Sequence, residues 1–348
     1  MTRPIRERWI HPDGVGKDPI IFKRKGVYVM IFIISRKDDI HADFVIKKLE
    51  EMNVDFFRLN TECIFNYKLI LSPKSARIYN TLSGKNLLLK DIKSVYLRRR
   101  SIPEGLLVDK EYRAFIDQQW TCFQKNIWSY LEDKFWISSP AAIDFASDKL
   151  RQLRIAEDIG FHTPETLFTN SLTDVIALQK KYEKCIYKPY DGGFLSPDSD
   201  KAIYTSIMGE NLIESPEKTE QLRICPGIFQ PYIEKECEFR ITVVGEKVFV
   251  ARIDSQKSEK TKVDWRRYDF ENVSHAADQL PKEEEEKCIE LVKRLELRFG
   301  AIDMILTPKH EFYFLEINAN GQWAWIEVLT GLPISSELAH FLVYHINS

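Results

Sequence analysis

Two short apolar strands near the end of the chain carry the residues best suited to chemistry. Segment 300–321 reads as a hairpin around a Thr-Pro-Lys-His turn, because apolar and aromatic residues flank the turn on both sides. Side chains alternate between the faces of a strand, so one face of the first strand should hold Ala301, Asp303 and Ile305. By the same rule, one face of the second strand should hold Phe312, Phe314, Glu316 and Asn318. A turn centred between Lys309 and His310 sets Asp303 directly opposite Glu316.

This expected pairing of two carboxylates predicts a bound cation. Directly opposite residues on paired strands have Cβ atoms about 5 Å apart, and like charges there are destabilising unless a cation or a proton intervenes. The alternative is a solvated acidic face, but Ile, Met, Leu, Phe and Tyr surround both acids. With Asn318 two residues further on, three oxygen-bearing side chains converge, and that donor set suits Mg²⁺. We therefore predict that Asp303, Glu316 and Asn318 bind the metal.

Two lysines occupy positions from which they could contact phosphate. A helix is predicted over Asp148–Gly160 with Ser147 as its N-cap, which puts Lys149 in the first turn. The helix dipole disfavours a cation there, whereas a helix N-terminus together with a lysine suits a phosphate. Lys188 ends a predicted strand before the Gly192-Gly193 turn, where glycine lets the backbone approach a ligand closely. An ordinary surface position remains the alternative for Lys149.

Composition limits the classes of function. The 348 residues suggest two or three lobes, and contents of 44% hydrophobic and 29% charged residues are typical of a soluble globular protein. Lys and Arg total 50 against 52 Asp and Glu, so a formal charge of −2 provides no basic field to recruit nucleic acid. Six scattered cysteines without a Cys-x-x-Cys pair favour reduced, mostly buried thiols in a cytoplasmic protein. No apolar run approaches a membrane span, and the histidines lack metal-ligand spacing.

The order of predicted elements divides the chain into three parts. Residues 1–137 comprise a polar arm, 1–26, and a domain that opens with a β-α-β unit and therefore a parallel sheet. Residues 138–229 and 230–348 form a central and a C-terminal subdomain. Further helices are predicted over about 109–134, 173–182, 281–299 and 336–346. The alternation of strands and helices makes the fold class α/β, with α+β character.

The strand Glu238–Val244 has charged residues at alternate positions. Glu238, Arg240 and Thr242 share one face, and a charged face on an apolar strand usually faces solvent. Residues 254–274 are polar and contain a second candidate cation, Arg266.

The order of these features over residues 138–335 resembles the ATP-grasp fold. Its most specific motif is Leu315-Glu-Ile-Asn-Ala-Asn-Gly321. The resemblance implies an N-terminal pre-ATP-grasp α/β domain, ATP and Mg²⁺ as cofactors, and adenine binding by the backbone of the 230–233 hinge. The nucleotide-binding residues that it implies are Lys149 and Lys188 for phosphates, Gln230, Tyr232 and Ile233 for adenine, and Glu238 for ribose.

Within that superfamily, the whole chain resembles the graspetide synthetases of the microviridin type. The motifs that carry this resemblance are His41-Ala-Asp-Phe-Val45, Phe57-Arg-Leu-Asn60, Tyr96-Leu-Arg-Arg99, Glu238-Phe-Arg240, Asp264-Trp-Arg266 and Asn320-Gly-Gln-Trp-Ala-Trp-Ile-Glu327. Such enzymes phosphorylate Asp or Glu side chains of a ribosomally made precursor peptide, which consists of a leader and a core. A Ser/Thr hydroxyl or Lys amine of the same peptide then displaces phosphate and closes an ester or amide ring. The family's Trp-Tyr-Arg-Arg-Pro strand appears here as Val95-Tyr-Leu-Arg-Arg-Arg100, without the Trp or the Pro.

The chemistry implied assigns roles to two arginines. Phosphoryl transfer depends mainly on positioning and on neutralisation of charge by Mg²⁺, Lys and Arg. Arg240 and Arg266 are the cations expected on the γ-phosphate and the acyl phosphate, with surface salt bridges as the alternative. Two other functions stay open: a ligase that adds a free amino acid or glutamate, and a non-catalytic regulator that binds nucleotide or peptide. A homodimer is also left open.

Overall fold

The computed structural model describes residues 29–101, 103, 109–190, 193–194, 202–209, 216–267 and 269–345. The predicted N-terminal arm lies outside the described residues, as does Gly192 of the predicted Gly-Gly turn. None of the helices in the described part of the chain is long and apolar enough to cross a membrane.

The N-terminal part is built on a parallel sheet that is covered on both faces. Its elements are β1 (Met30–Ser35), α1 (Ile40–Glu51), β2 (Asp55–Asn60), β3 (Tyr67–Ser72), β4 (Ser75–Asn80), β5 (Asn86–Leu88), β6 (Ile92–Leu97), α2 (Lys110–Ser129) and β7 (Phe135–Ile137). The strand order β2-β1-β6-β7 is parallel throughout, so the predicted β-α-β opening is confirmed. β1 is apolar on both faces because one face packs against α1 and the other against the small antiparallel sheet β3-β4-β5.

The central part is a smaller lobe. Its elements are α3 (Pro140–Ala146), α4 (Lys149–Ile159), β8 (Leu167–Thr169), α5 (Leu172–Lys181), β9 (Cys185–Lys188), β10 (Gly193–Phe194), β11 (Ala202–Ile203), β12 (Ser206–Ile207), α6 (Pro216–Ile224) and β13 (Gly227–Pro231). An antiparallel sheet of order β12-β9-β13-β8 packs on α5. The buried residues of this core are Val175, Leu178, Cys185, Met208 and Phe229.

The C-terminal part contains the main antiparallel sheet. Its elements are β14 (Cys237–Val244), β15 (Lys247–Ile253), β16 (His275–Asp278), α7 (Lys282–Arg294), β17 (Phe299–Leu306), β18 (Phe312–Asn318), α8 (Ala324–Thr330) and α9 (Ile334–Tyr344). The strand order is β16-β15-β14-β17-β18, and one face packs on α4 and α7. On the other face, apolar residues such as Ala301 pack against α9 and the N-terminal sheet at one end of the strands. Further along the same face, Asp303 and Ile305 line a cleft.

Three predicted helix ends are wrong. The helix predicted over about 109–134 ends at Ser129, because the chain turns there and the Leu131 N–H donates to the Trp128 carbonyl at 2.9 Å. Ser147 does not cap α4: it ends α3 in helical geometry, and the Asp148 carboxylate accepts the Arg151 N–H at 3.0 Å as the N-cap. The helix predicted to reach residue 299 ends at Arg294, because Glu296 adopts a left-handed conformation with φ of 57° that cannot continue a helix.

The predicted domain boundaries stay predictions. The first, after residue 137, falls directly after β7, and the second, after residue 229, falls within β13. The six cysteines carry free thiols, of which Cys185, Cys237 and Cys288 are buried, whereas Cys122 and Cys225 are exposed.

Candidate active site

The two carboxylates predicted to face each other do so. Asp303 on β17 is the direct partner of Glu316 on β18. Both line the cleft between the central lobe and the main sheet, together with Ile305. The Asp303 side chain is 9% exposed and that of Glu316 is 26% exposed, so Asp303 lies deep in the site and Glu316 nearer to its opening.

A bulge in β18 makes one predicted face wrong. Asp303 pairs with Glu316 but Met304 pairs with Phe314, so Leu315 is an extra residue between them. Phe314 therefore packs in the core under α4 and α7, while Glu316 points into the cleft. Strict alternation, which placed Phe314 and Glu316 on one face, fails because a bulge shifts the register by one residue.

Protein cations already neutralise both carboxylates. Arg240 Nη1 donates to the two oxygens of Asp303 at 2.9 and 3.0 Å. Lys149 Nζ donates to Glu316, and Arg266 Nη1 lies 3.5 Å from the other Glu316 oxygen. Burial raises the pKa of Asp303 against the attraction of Arg240, whereas Lys149 and Arg266 outweigh burial and lower the pKa of Glu316. The paired acids are thus compatible with burial only because three cations meet them.

The charged face of β14 is buried, contrary to the expectation of solvent exposure. Glu238, Arg240 and Thr242 are all less than a tenth exposed, because the central lobe, the N-terminal sheet and Trp265 cover this face. Arg240 also donates to the Gln322 carbonyl at 3.3 Å. Glycine is required beside it, since a Cβ at Gly321 would lie 2.6 Å from Arg240 Nη2.

Arg266 is held in place by an acid that the prediction did not include. Asp264 is 4% exposed and accepts from Arg266 Nε and Nη2, both at 2.8 Å. Arg266 Nη2 also donates to the Thr205 hydroxyl at 3.3 Å, across the cleft on the central lobe. The only sequence signal for this role was the i, i+2 spacing within Asp264-Trp-Arg266.

The residues predicted to bind adenine and ribose line one end of the cleft. These residues are Gln230, Tyr232, Ile233 and Glu238. Gln230 Nε2 donates to the Thr166 hydroxyl at 2.8 Å. Lys235 was missed: it is 8% exposed and donates to Glu238 at 2.9 Å and to the Val263 carbonyl at 3.2 Å. No pattern in the sequence distinguished Lys235 from the surface lysines around it.

Lys188 ends β9 on the opposite wall of the cleft. Burial, together with the nearby cations Arg266 and Lys149 and against the attraction of Glu316, lowers the pKa of its ammonium to about 8. Within the part of the chain that the structure describes, Lys188 forms no salt bridge, so its ammonium is available to a phosphate.

Most of the predicted site comes together. Eight of the eleven predicted residues line the cleft, and Lys149 and Arg240 reach its two carboxylates from the sides. Asn318 is exposed and does not line the cleft; its Oδ1 accepts the Asn320 N–H at 3.2 Å. Its role as a metal ligand stays a prediction. Among the described residues, no three His, Cys, Asp or Glu side chains form a metal-binding group, so a metal here would need oxygen ligands beyond the two acids.

Comparison with known proteins supports an ATP-grasp site. The profile of the RimK-like ATP-grasp domain matches residues 146–342. The crystal structure of the macrocyclase MdnC with its precursor peptide MdnA, from Microcystis aeruginosa MRC, is 29% identical with a TM-score of 0.79, covering 90% of this chain and 99% of that one.

Two further relatives extend the comparison. A Chryseobacterium gregarium RiPP-associated ATP-grasp ligase, in complex with ADP and a leader and core peptide, is 28% identical with a TM-score of 0.81, covering 90% of this chain and 96% of that one. The tetrahydromethanopterin:alpha-L-glutamate ligase of Methanocaldococcus jannaschii is 24% identical over 264 residues, or 69% of this chain and 84% of that protein. The chain therefore belongs to the RimK-like ATP-grasp family of ATP-dependent ligases.

Proposed function

We propose that this ligase closes ω-ester or ω-amide rings in a ribosomally made precursor peptide. One observation carries the proposal: the likeness to peptide macrocyclases covers 90% of the chain and therefore includes the N-terminal sheet as well as the ATP-grasp part. The Asp303–Glu316 pair and its cations supply the phosphoryl-transfer chemistry within that fold.

The cleft has the parts that a nucleotide requires. Lys149 and Lys188 approach the Asp303–Glu316 pair from the two sides of the cleft. Their ammonium groups would bind the phosphate oxygens of the nucleotide there. The 230–233 hinge would hold adenine and Glu238 the ribose. Because Lys149 is paired with Glu316 in this structure, binding of phosphate would exchange one anionic partner of Lys149 for another.

The donor set consists of oxygen ligands only, which fits Mg²⁺. Asp303 and Glu316 lie opposite each other, and Asn318 is two residues beyond Glu316 on β18. When bound, Mg²⁺ would neutralise phosphate charge. Arg240 and Arg266 would hold the negative charge that develops on the transferred phosphoryl group and on the acyl phosphate. A hydroxyl or amine of the peptide would then attack the acyl carbon, and phosphate would leave as the ester or amide forms.

The remaining expectations about partners and location follow from composition. A formal charge of −2 gives no reason to expect nucleic acid as a partner. Six free thiols favour the reducing cytoplasm as the compartment in which the enzyme acts. A homodimer remains compatible with the proposal.

The test is the intact mass of a candidate precursor, such as a short acidic peptide encoded beside this gene, after incubation with the enzyme, ATP and Mg²⁺. Ring closure removes one water per bond, so the mass should fall by one or more waters. Arg266→Lys, at a half-exposed position, should keep ADP binding and lose most of the mass change, because a lysine cannot keep both Asp264 contacts. An increase in mass, or no change with every acidic peptide tried, would contradict the proposal.

A second candidate is a ligase that adds glutamate to an acceptor. The similarity to the glutamate ligase of M. jannaschii favours it. The same experiment separates the two functions, since glutamate addition raises the mass of the acceptor and requires free glutamate. A non-catalytic regulator is less compatible with a cleft that holds two opposed carboxylates and five cations, namely Lys149, Lys188, Lys235, Arg240 and Arg266.

A further inference from the structure

Gln152 makes an unusual set of contacts at the edge of the main sheet. It lies in α4, is 4% exposed, and faces β18, the last strand of the sheet. Its Oε1 accepts the Ile317 N–H at 3.1 Å and its Nε2 donates to the Ile317 carbonyl at 2.8 Å. The same Nε2 donates to the Ala146 carbonyl at the end of α3 at 2.7 Å. One side-chain amide thus replaces a neighbouring strand at a single residue of β18.

Ile317 is the residue between the two predicted metal ligands of β18, Glu316 and Asn318. An edge strand leaves its outward N–H and C=O groups unpaired, and when buried these groups require partners. The bulge at Leu315 interrupts the regular ladder with β17 one residue before Glu316, so that ladder alone does not fix the backbone here. The amide of Gln152 supplies the missing constraint.

The same helix turn contacts Glu316 directly. Lys149 and Gln152 are separated by three positions and therefore lie on one face of α4. Lys149 pairs with the Glu316 carboxylate, while Gln152 binds the backbone of the next residue. The first turn of α4 thus fixes both the charge and the direction of the Glu316 side chain.

We propose that Gln152 is a positioning residue for the metal site: by fixing the backbone of Ile317, it sets the directions in which Glu316 and Asn318 present their oxygens. The inference rests on the proposed metal-dependent function. Gln152 acts through the backbone of Ile317 and is not itself a ligand. Partners that orient metal ligands usually change metal affinity by about 10–100-fold when removed.

The experiment measures metal binding separately from activity. Mn²⁺ is titrated, with detection by electron paramagnetic resonance, into the full chain saturated with a non-hydrolysable ATP analogue. Gln152→Met keeps the length of the side chain but removes its hydrogen bonds to Ile317 and Ala146. For this variant we expect Mn²⁺ to bind about tenfold more weakly. ADP affinity without metal should stay within about twofold of the wild type, since Lys149 and Lys188 are retained. Hydrogen exchange of the segment 312–318 should become faster.

Leu291→Ala is the matched control. Leu291 lies in α7, is fully buried in the core between α4, α7 and the main sheet, and does not line the cleft. The control should lower stability and leave Mn²⁺ affinity unchanged. If Gln152→Met does not fold, Gln152→Glu, which keeps the acceptor for the Ile317 N–H, takes its place.

The outcomes are distinguishable. Wild-type Mn²⁺ affinity in Gln152→Met, or in Gln152→Glu where it takes the place of that variant, would overturn the inference and leave the proposed function intact. Equal weakening in Leu291→Ala would also overturn it, since general destabilisation would then explain the loss. Absence of Mn²⁺ binding by the wild-type complex would overturn the metal site itself, and with it both proposals.

Discussion

At the scale of single residues, the main feature of the cleft is that each acid has a cation from the protein. Asp303 pairs with Arg240, Glu238 with Lys235, Asp264 with Arg266, and Glu316 with Lys149. How deeply each pair is buried decides whether a substitution tests activity alone or also destabilises the fold. Asp303→Asn would leave the buried Arg240 charge unpaired, which costs about 3–5 kcal/mol, so loss of activity there would also reflect loss of folding.

Glu316, which is partly exposed, allows a cleaner test. Glu316→Gln should abolish Mg²⁺-dependent ATP turnover and keep the folded structure. ADP should bind more tightly without metal, because Lys149 and Arg266 no longer have a competing carboxylate. Calorimetry and a coupled ADP-release assay check both results. Glu311→Gln, at an exposed position of the same hairpin, is the control, and unchanged turnover in Glu316→Gln would contradict the metal assignment.

The lowered pKa of Lys188 predicts that nucleotide binding depends on pH. Its pKa of about 8 means that, as pH rises through that value, the free protein loses the positive charge that phosphate requires. ADP binding should therefore weaken above that pH and should take up a proton. Calorimetry in two buffers of different ionisation enthalpy measures the uptake. Lys188→Arg, which stays charged, should eliminate it; equal proton uptake in that variant would contradict the assignment.

At the scale of elements, residues from the N-terminal part hold the loop that follows β18 and the start of α8. Arg98, just after β6, is 2% exposed and donates to the Asn320 carbonyl at 2.6 Å. His41 in α1 accepts the N–H groups of Trp323 and Ala324 on Nδ1, at 3.4 and 3.2 Å. The Tyr-Leu-Arg-Arg strand of the sequence thus has a structural role through Arg98, which the motif alone did not indicate.

The acceptor role of His41 predicts a loss of stability in acid. Burial, followed by the charges of Arg98, Arg99 and Arg240, lowers the pKa of His41 well below its usual value of 6.5. Below pH 6.5, His41 of the unfolded chain binds a proton, whereas His41 of the folded protein stays neutral. Unfolding free energy should therefore decrease as pH falls, by up to about 1.4 kcal/mol per pH unit from this group.

Denaturant unfolding of the wild type and of His41→Gln between about pH 7 and pH 5.5 checks this. A glutamine oxygen can accept from the same N–H groups without titrating, so the variant should have a shallower pH dependence whatever its absolute stability. Parallel curves for the two proteins would contradict the prediction.

At the scale of the whole molecule, the N-terminal and C-terminal parts share one core. Ile31 and Ile33 of β1, Ala301 of β17 and Leu338 of α9 belong to a single buried cluster. Within the central lobe, α3 and α4 pack on the core of the main sheet, whereas α5 and the sheet β12-β9-β13-β8 have a separate and smaller cluster. Regions with few buried apolar contacts open more readily, so α5 and this sheet should open before the remainder.

Leu338→Ala tests this arrangement. Leu338 is fully buried, and its truncation should cost about 2–5 kcal/mol. Because the core is shared, hydrogen exchange should become faster in both β1 and β17, although they lie far apart in sequence. Leu178→Ala, in the smaller cluster, should accelerate exchange only in the central lobe. If Leu338→Ala affected the C-terminal part alone, the two parts would not be a single cooperative unit.

The sequence alone determined the features that depend on local pattern. Alternation around the Thr-Pro-Lys-His turn predicted that Asp303 faces Glu316, and the β-α-β opening predicted a parallel sheet. The pairing of the two acids is confirmed, but the hairpin centres on Lys309 and not between Lys309 and His310, so the pairing depends on the bulge at Leu315. The order of motifs identified the ATP-grasp superfamily, and most of the predicted site residues line the cleft, since motif spacing reflects the order of elements in the fold.

Tertiary structure decided burial and partner choice. The bulge at Leu315 separates Phe314 from Glu316 because the core beneath α4 accepts an aromatic ring, which no single-strand pattern encodes. The face of Glu238 and Arg240 is buried because distant elements cover it. Lys235 and Gln152 acquire their roles from contacts made only when elements far apart in the fold pack together. Long-range packing determines the electrostatic environment of each group, and local sequence does not specify it.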